Sequence, residues 1–441
     1  MMDDGYLKQM PLSEIAIDTP DAFVDGPFGS NLKSAEYTDE GVRLIQLQNI
    51  GSGEWLDFSK KFVSTRKLVN LSRHAVRPGD IAIAKMAEPV ARACIVPAVA
   101  DNFMVVADCI KLRVNETKSD PRFIVELLNS YPFRNQAERK SIGTTRIRIN
   151  LSILKDLAIA IPSVSAQQRI AEILVNVNEA IRMTERLTAK LELAKQGLLR
   201  DLLTRGVDSS GQLRDPQRGS DTFVETPLGL LPSSWSVQAV DALLSEVKPA
   251  MRSGPFGSAL LKSELVQEGV PMLGIDNVQL EHFVQNYSRF VSQEKYRELA
   301  RYAVRPKDVM VTIMGTVGRC CVVPDDIGQA LSSKHVWTLT FDSRRYLPEL
   351  ACAQINYSDW VLRHFASDAQ GGIMSAIRSD TLRTTLLPVP PIGEQHRIWE
   401  ILQTVQTRID TARRETSKLR LLKQGLTDDL LTGRVKVQGS V

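Results

Sequence analysis

The chain repeats itself, and the repeat is long. GPFGS at 26–30 recurs at 254–258, EGV at 40–42 recurs at 268–270, and AVRP at 75–78 recurs at 303–306. QQRIAEIL from position 167 returns as QHRIWEIL from 395, and KQGLLRDLLT from 195 returns as KQGLTDDLLT from 423. Each pair lies 228 positions apart, and between them the offset slips by one, since Pro97 pairs with Pro324. Ordered matches at one offset mark a duplication. A period of this size far exceeds the roughly 20–50 residues of solenoid repeats, so each copy is a domain-sized unit.

Each copy has a mixed first part. VRLIQL at 42–47, IAIA at 81–84, CIV at 94–96 and the stretch 105–114 read as strands, with Pro78-Gly79 turning the chain before one of them. A helical stretch follows over 120–139, then 153–161, ending at Pro162. The second copy repeats this at 309–313, 321–323, 337–341, 347–367 and 382–389. Strands interrupted by helices, without regular βαβ alternation or a GxGxxG loop, predict an α+β fold.

The second part of each copy is one long helix. Ile170, Val177, Thr184, Leu191 and Leu198 recur every seven residues, with Leu174, Ile181 and Leu202 beside them and Ile173, Ala180, Leu187 and Ala194 widening the stripe. The second copy keeps the register with Ile398, Val405, Ala412, Leu419 and Leu426, flanked by Leu402, Ile409, Leu422 and Leu430. Sustained heptads suit a coiled-coil seam, and a helix laid on its own domain is the plainer alternative. Some 37 residues at 1.5 Å each give a rod of about 55 Å, longer than a small domain is wide, which favours pairing of the two helices. Gly206 and Gly433 are suited to end them. The expected division is therefore 1–162, a first globular domain; 163–206, its helix; 207–231, a Ser-, Gly- and Pro-rich linker; 232–390, a second globular domain; 391–434, the second helix; and 435–441, a tail.

The chemistry an enzyme needs leaves no mark. GxxxxGK[ST], HExxH and GxSxG are absent, as is the Asn-Pro-Pro-aromatic motif of adenine methyltransferases. The five histidines are scattered and do not match between copies. Asp80 followed by Lys85 hints at the acidic-acidic-lysine pattern of metal-dependent nucleases, but Ile83 stands where the second acid belongs. Five cysteines without CxxC spacing argue against zinc and against a disulfide framework, and fit a reducing cytoplasm. No apolar run approaches the ~20 residues of a membrane span, and the acidic start has no signal-peptide core. With 55 basic and 51 acidic side chains, the net charge of +4 does not by itself announce a nucleic-acid binder.

The ordered set of motifs does resemble a family. GPFGS, VRPGD before a strand, GTTR at 143–146 with INL at 149–151, IP before QQRIAEIL, and KQGLLRDLLTRG occur in the order seen in specificity (S) subunits of type I restriction-modification systems. The linker from GQLR at 211–214 to LGLLP at 228–232 and Trp235, and PPIGEQ at 390–395, are similar as well. The resemblance implies a non-catalytic DNA-binding subunit whose two target-recognition domains each read half of a bipartite asymmetric site. It implies an antiparallel coiled coil with pseudo-twofold symmetry that sets the spacer and docks two methyltransferase (M) subunits. S-adenosylmethionine would belong to those subunits, and ATP and Mg to motor/nuclease (R) subunits, leaving no cofactor on this chain.

On that reading, shared positions hold scaffold or phosphates, and differing polar positions are candidate readers. Gln46, Gln48 and Asn49 align with Gly274, Asp276 and Asn277. Gln and Asn bond adenine N6/N7 and Asp accepts from cytosine N4, although a solvated strand face explains the same residues. Thr144, Thr145, Arg146 and Arg148 align with Gly372, Ile373, Met374 and Ala376, a polar basic loop against an apolar one, with Gln370 and Arg378 the nearest polar candidates in the second copy. GPFGS suits a phosphate-binding loop with Ser30 and Ser258 as hydroxyl donors, or a tight turn whose phenylalanine is core. Lys33 and Lys262 suit phosphate contacts or plain solvated lysines, and Arg92 and Arg319 suit phosphate clamps or ion pairs.

Overall fold

The computed structural model describes residues 6–86, 88–143, 147–217, 223–369 and 376–437. By internal contacts the chain divides into two units, residues 1–186 with 413–441, and residues 187–412.

Unit 1 is organised round a four-stranded antiparallel sheet in the spatial order Phe23–Asp25, Cys109–Leu112, Ile81–Ala84, Ala93–Ile95. Its strand Ile81–Ala84 is buried on both faces. Ile81 and Ile83 join the core under the helix Pro121–Asn129, while Ala82 and Ala84 face a second cluster with Phe103, Val105 and Cys94. Period-two alternation of large and small residues lets one strand serve both cores. The second sheet runs Tyr37–Thr38, Phe62–Val63, Val42–Ile45, Phe103–Val105, Ala75–Val76, with Val42–Ile45 and Phe103–Val105 parallel.

Unit 2 repeats the first sheet strand for strand: Met251–Ser253, Val336–Leu339, Val309–Thr312, Cys320–Val322. The register Val309↔Leu339 reproduces Ile81↔Leu112. Val309 and Val311 again pack toward helices and Met310 toward the opposite cluster. Mixed helices and antiparallel-rich sheets make the fold α+β, as the pattern predicted.

Several expected elements come out differently. The stretch 153–161, read as helical, is a short helix, Leu151–Lys155, followed by the strand Ala158–Ile161 paired with Lys8–Pro11. The stretch 105–114 is not one strand: Phe103–Val105 belongs to the second sheet and Cys109–Leu112 to the first, separated by a turn closed by Cys109 N–H donating to Val106 O at 2.9 Å. The stretch 120–139 is two helices, Pro121–Asn129 and Tyr131–Arg139. Asp120 caps the first through Arg122 N at 2.8 Å, and Pro132 lacks the N–H that would continue it.

The long helices are Val164–Thr204, 41 residues, and Ile392–Leu431, 40 residues. In unit 1 their segments run antiparallel. Leu430 and Leu431 share the core of Ile170, Ala171 and Leu174, while Arg420 Nη2 reaches Glu185 Oε1 at 2.6 Å. In unit 2 the segments are again antiparallel, with Leu199, Leu202 and Leu203 against Ile398 and Leu402, and Lys195 Nζ donating to Gln406 Oε1 at 2.9 Å. Along the seam Ile409 is buried, and Val177, Ile181, Leu191, Leu198, Val405, Leu419 and Leu426 are half-buried. Leu187 and Leu422, expected in the stripe, are instead exposed, as is Ala194.

The segment read as a linker is folded onto unit 2. Val207 and Leu231 are buried, and Phe223–Thr226 pairs with Gly229–Pro232 in a hairpin. Buried Glu394 gathers it, accepting from both terminal nitrogens of Arg214, from Trp235 Nε1 at 3.1 Å and from Val207 N at 3.0 Å. A Cβ at Gly206 would lie 2.1 Å from Glu394 Oε1, so the glycine is there for close approach as well as to end the helix.

Candidate nucleic-acid interface

GPFGS forms the same loop in both units. It follows the edge strand of the four-stranded sheet, where a Cβ on Gly26 would lie 2.1 Å from the Val106 carbonyl and one on Gly254 would lie 2.0 Å from Ser332 O. Gly29 and Gly257 then adopt φ of +55° and +57°, and a 3₁₀ turn closes as Asn31 N and Ala259 N each donate to the preceding phenylalanine carbonyl at 3.2 Å. The backbone is thus pinned and its phenylalanine is pushed outward. Phe28 is 48% exposed and Phe256 is 62% exposed. Neither is the core anchor that a tight-turn reading supposed.

In unit 1 charged groups collect about the Phe28 ring. Lys85 Nζ lies 4.6 Å from its centroid and donates to Asp25 Oδ2 at 2.8 Å. Arg148 Cζ lies 5.7 Å from the centroid, and Arg148 Nη2 pairs with Asp108 Oδ1 at 2.9 Å. Backbone bonds hold the frame: Lys85 N–H donates to Asp108 O, and Ile149 N–H donates to Lys85 O, both at 2.9 Å. Ile142 and Arg148 bridge each other, and Arg148 also bridges Met86.

Unit 2 builds that frame from other side chains. Ile313 N–H donates to His335 O at 2.9 Å and Ile377 N–H donates to Ile313 O at 3.2 Å, which places Ile313 at the Lys85 position and His335 at the Asp108 position. Ser253 takes the place of Asp25, and Ala376 takes that of Arg148. His335 Nδ1 lies 3.2 Å from Met314 Sδ, and burial, aided by Lys334 and Arg289, holds the imidazole below its ordinary pKa and so neutral at pH 7. The four equivalent positions therefore carry charged side chains in unit 1 and uncharged ones in unit 2, where Lys334 and Arg289 are the cations near His335.

Among the sequence candidates, the fold unites Arg148 with the GPFGS loop across some 120 positions of sequence. Others it turns inward. Asn49 is fully buried, accepting from Gln46 N and donating to Leu56 O and Ser59 O, each at 3.0 Å. Asn277 does the same with Gly274 N, Val284 O and Asn286 O. Both amides are spent on a turn, which corrects their reading as base contacts. Arg92 is likewise corrected: its guanidinium donates to Ile50 O, Leu47 O, Met86 O and Pro89 O, and burial lowers its pKa. Arg319 donates to Gln279 Oε1 at 2.7 Å.

Of the remaining candidates, those among the described residues lie wholly or partly toward solvent. Gln48 is exposed and donates to half-buried Gln46 at 3.3 Å, and Asp276 is paired with Arg289. Lys33, Lys262, Ser258 and Arg378 are exposed, and the Ser30 side chain, Thr144, Thr145, Arg146 and Gln370 lie outside the described residues. Sequence reading passed over Phe28, Asp25 and Asp108 and considered Lys85 only as a nuclease lysine. The signal was present, because Asp25/Ser253, Lys85/Ile313 and Asp108/His335 all change chemistry between copies. Asp80 of the same discarded motif caps a turn, accepting from Arg77 N at 2.9 Å, and pairs with Arg113. Among the described residues no group of three or more His, Cys, Asp or Glu is placed to hold a metal ion, and no helix is long and apolar enough to cross a membrane.

Comparison with known proteins finds the type I restriction modification DNA specificity domain twice, over residues 65–193 and 261–421. A putative type I restriction enzyme MjaX specificity subunit from Methanocaldococcus jannaschii is 21% identical over 410 residues, 90% of this chain and 88% of that protein. The crystal structure of a type I restriction-modification S subunit from M. genitalium superposes with a TM-score of 0.57 at 15% identity, covering 98% of this chain and 97% of that one. A chain solved in work on assembly and conformational transition of the type I R-M system gives 0.55 at 17% identity, covering 96% and 97%. At these identities the structural likeness is one of fold.

Proposed function

Because the chain belongs to the type I restriction modification DNA specificity family and carries its domain twice, we propose that each unit reads one half of a bipartite, asymmetric site on double-stranded DNA. The observation that carries this is one frame built twice with different side chains at its exposed edge. A shared frame suits a shared docking mode on the duplex, and different edges suit different half-sites.

The chain supplies the address and no bond-making step. Two methyltransferase subunits dock along the paired helices, where Leu421 and Leu422 in unit 1 and Leu187 and Leu193 in unit 2 stay exposed. Those subunits bring S-adenosylmethionine, and motor/nuclease subunits joining the complex bring ATP and Mg. The setting is cytoplasmic, where the five buried thiols remain free.

The helices set the spacer between half-sites. Inserting seven residues into each helix adds about 10 Å of rise, roughly three base pairs at 3.4 Å each. Selection from a randomised duplex library by the chain in complex with its methyltransferase subunits is expected to return two fixed half-sites with a constant gap. The insertion variant is expected to widen that gap by about three pairs and leave both half-sites alone. An undivided motif, or a gap indifferent to the insertion, refutes the reading.

A further inference from the structure

We infer that Phe28 and Phe256 are the equivalent DNA-contacting centres of the two units, and that the side chains round each ring decide the base pair accepted beside it. This rests on the DNA-specificity reading above and goes beyond it by naming the readers.

A single exposed phenylalanine needs no explanation. Here the exposure is engineered into the backbone twice. One glycine is jammed against the neighbouring main chain, another sits at positive φ, and the result in both copies is a ring held out of the core on a rigid turn. An apolar side chain so placed can lie on a thymine methyl or wedge against a base step. Lys85, anchored by Asp25, stands 4.6 Å from the Phe28 centroid.

The neighbours differ in the way base-pair edges differ. Arg148 and Asp108 stand side by side, each about a third exposed. A guanidinium donates to guanine O6 and N7, and a carboxylate accepts from cytosine N4, so the pair matches a G·C edge in the major groove. Arg148 Nε is buried and has no hydrogen-bond partner among the described residues, so it is the exposed Nη side of the guanidinium that would face a base. In unit 2 the same two places hold neutral His335 and Ala376, with Met314 against the imidazole. That surface accepts a thymine methyl, and with Nδ1–H donating to Met314 Sδ the neutral imidazole leaves Nε2 to accept from adenine N6. Unit 1 thus requires G·C beside its phenylalanine, and unit 2 requires A·T at the equivalent place.

The test uses the full chain in complex with its methyltransferase subunits. A motif is first selected from randomised duplex DNA with wild type, and selection and titration are then repeated with Phe28→Ala, Phe28→Tyr, Phe256→Ala and the double variant Asp108→His, Arg148→Ala. Each alanine variant is expected to lose about fivefold or more in affinity with an unchanged melting curve, since the ring is largely out of the core. Phe28→Tyr, which keeps an aromatic face, is expected to retain most of the affinity. The double variant is expected to change one G·C position of the first half-site to A·T and leave the second half-site intact. If wild type selects no bipartite motif, the DNA reading itself falls. If wild type selects one and both alanine variants bind it equally well, or the double variant selects the same bases, the inference is overturned while the reading stands.

Discussion

Replacing Glu394 by alanine is expected to destabilise unit 2 by about 3–5 kcal/mol, the range for removing one partner of a buried charge pair. The carboxylate is buried and receives Arg214, Trp235 Nε1 and Val207 N together. Its loss leaves the indole and the backbone amide without this acceptor and the guanidinium with Arg205 O, in a place water does not reach freely. For a unit of this size that corresponds to a fall in melting temperature on the order of 10 °C. The effect should extend to chain connectivity. Arg214 and Trp235 flank the hairpin that carries the chain from one copy to the next, so limited proteolysis of the variant should cut within 207–231 much sooner than in wild type. The first copy has Ala166, fully buried, at the equivalent position, which gives a control: Ala166→Glu would bury a carboxylate where a methyl packs and should not stabilise. Melting and proteolysis indistinguishable from wild type in Glu394→Ala would show that the segment is held by its apolar residues alone.

An effect of comparable size is expected at Asp308. This buried carboxylate accepts from Arg305 N at 2.7 Å and is paired with Arg252, itself buried. Burial pushes the Asp308 carboxyl above the usual carboxylate range and the Arg252 guanidinium below its own, so on both partners desolvation outweighs their attraction. Removing one partner alone therefore leaves an uncompensated buried charge, and Asp308→Ala should cost about 3–5 kcal/mol by denaturant unfolding. Removing the charge of both is cheaper: Arg252→Met with Asp308→Asn, which keeps an acceptor for Arg305 N, should recover a substantial part of that loss. Unit 1 shows that the geometry is negotiable. Its Asp80 takes the cation from Arg113, just past the end of the neighbouring strand, while Val24 stands where unit 2 has Arg252. A double variant no more stable than Asp308→Ala would contradict this account of the pair.

The parts of the molecule that repeat in period or in offset were legible. The 228-residue duplication, the α+β character and the long helices with Gly206 and Gly433 at their ends follow from patterns that backbone geometry imposes on side chains. What periodicity does not encode is partnership. The stretch 105–114 alternates like one strand, and only the turn at 106–108 reveals two sheets. A polar residue shared by both copies looks the same whether it ties off a turn or touches a phosphate, which is why Asn49, Asn277 and Arg92 read as DNA contacts until their bonds were traced inward. Exposure is equally silent in the letter F. For Phe28 a core position stays open beside a binding-loop reading until two glycines are seen to force the backbone outward. The site groups, Asp25, Phe28, Lys85, Asp108 and Arg148, come from four segments that only strand pairing brings together. Comparing the copies position by position would have flagged four of the five, because those four change in charge while Phe28 does not.

The central claim is that the two units read DNA independently, one half-site each. Exchange of residues 1–162 for the equivalent region of another specificity subunit, followed by sequencing of methylated bases across a host expressing the chimera with its methyltransferase subunits, tests it most directly. The account predicts a bipartite methylated motif in which one half-site is new and the other, with its orientation, is that of the parent. A motif changed in both halves, or methylation at an undivided site, would contradict it.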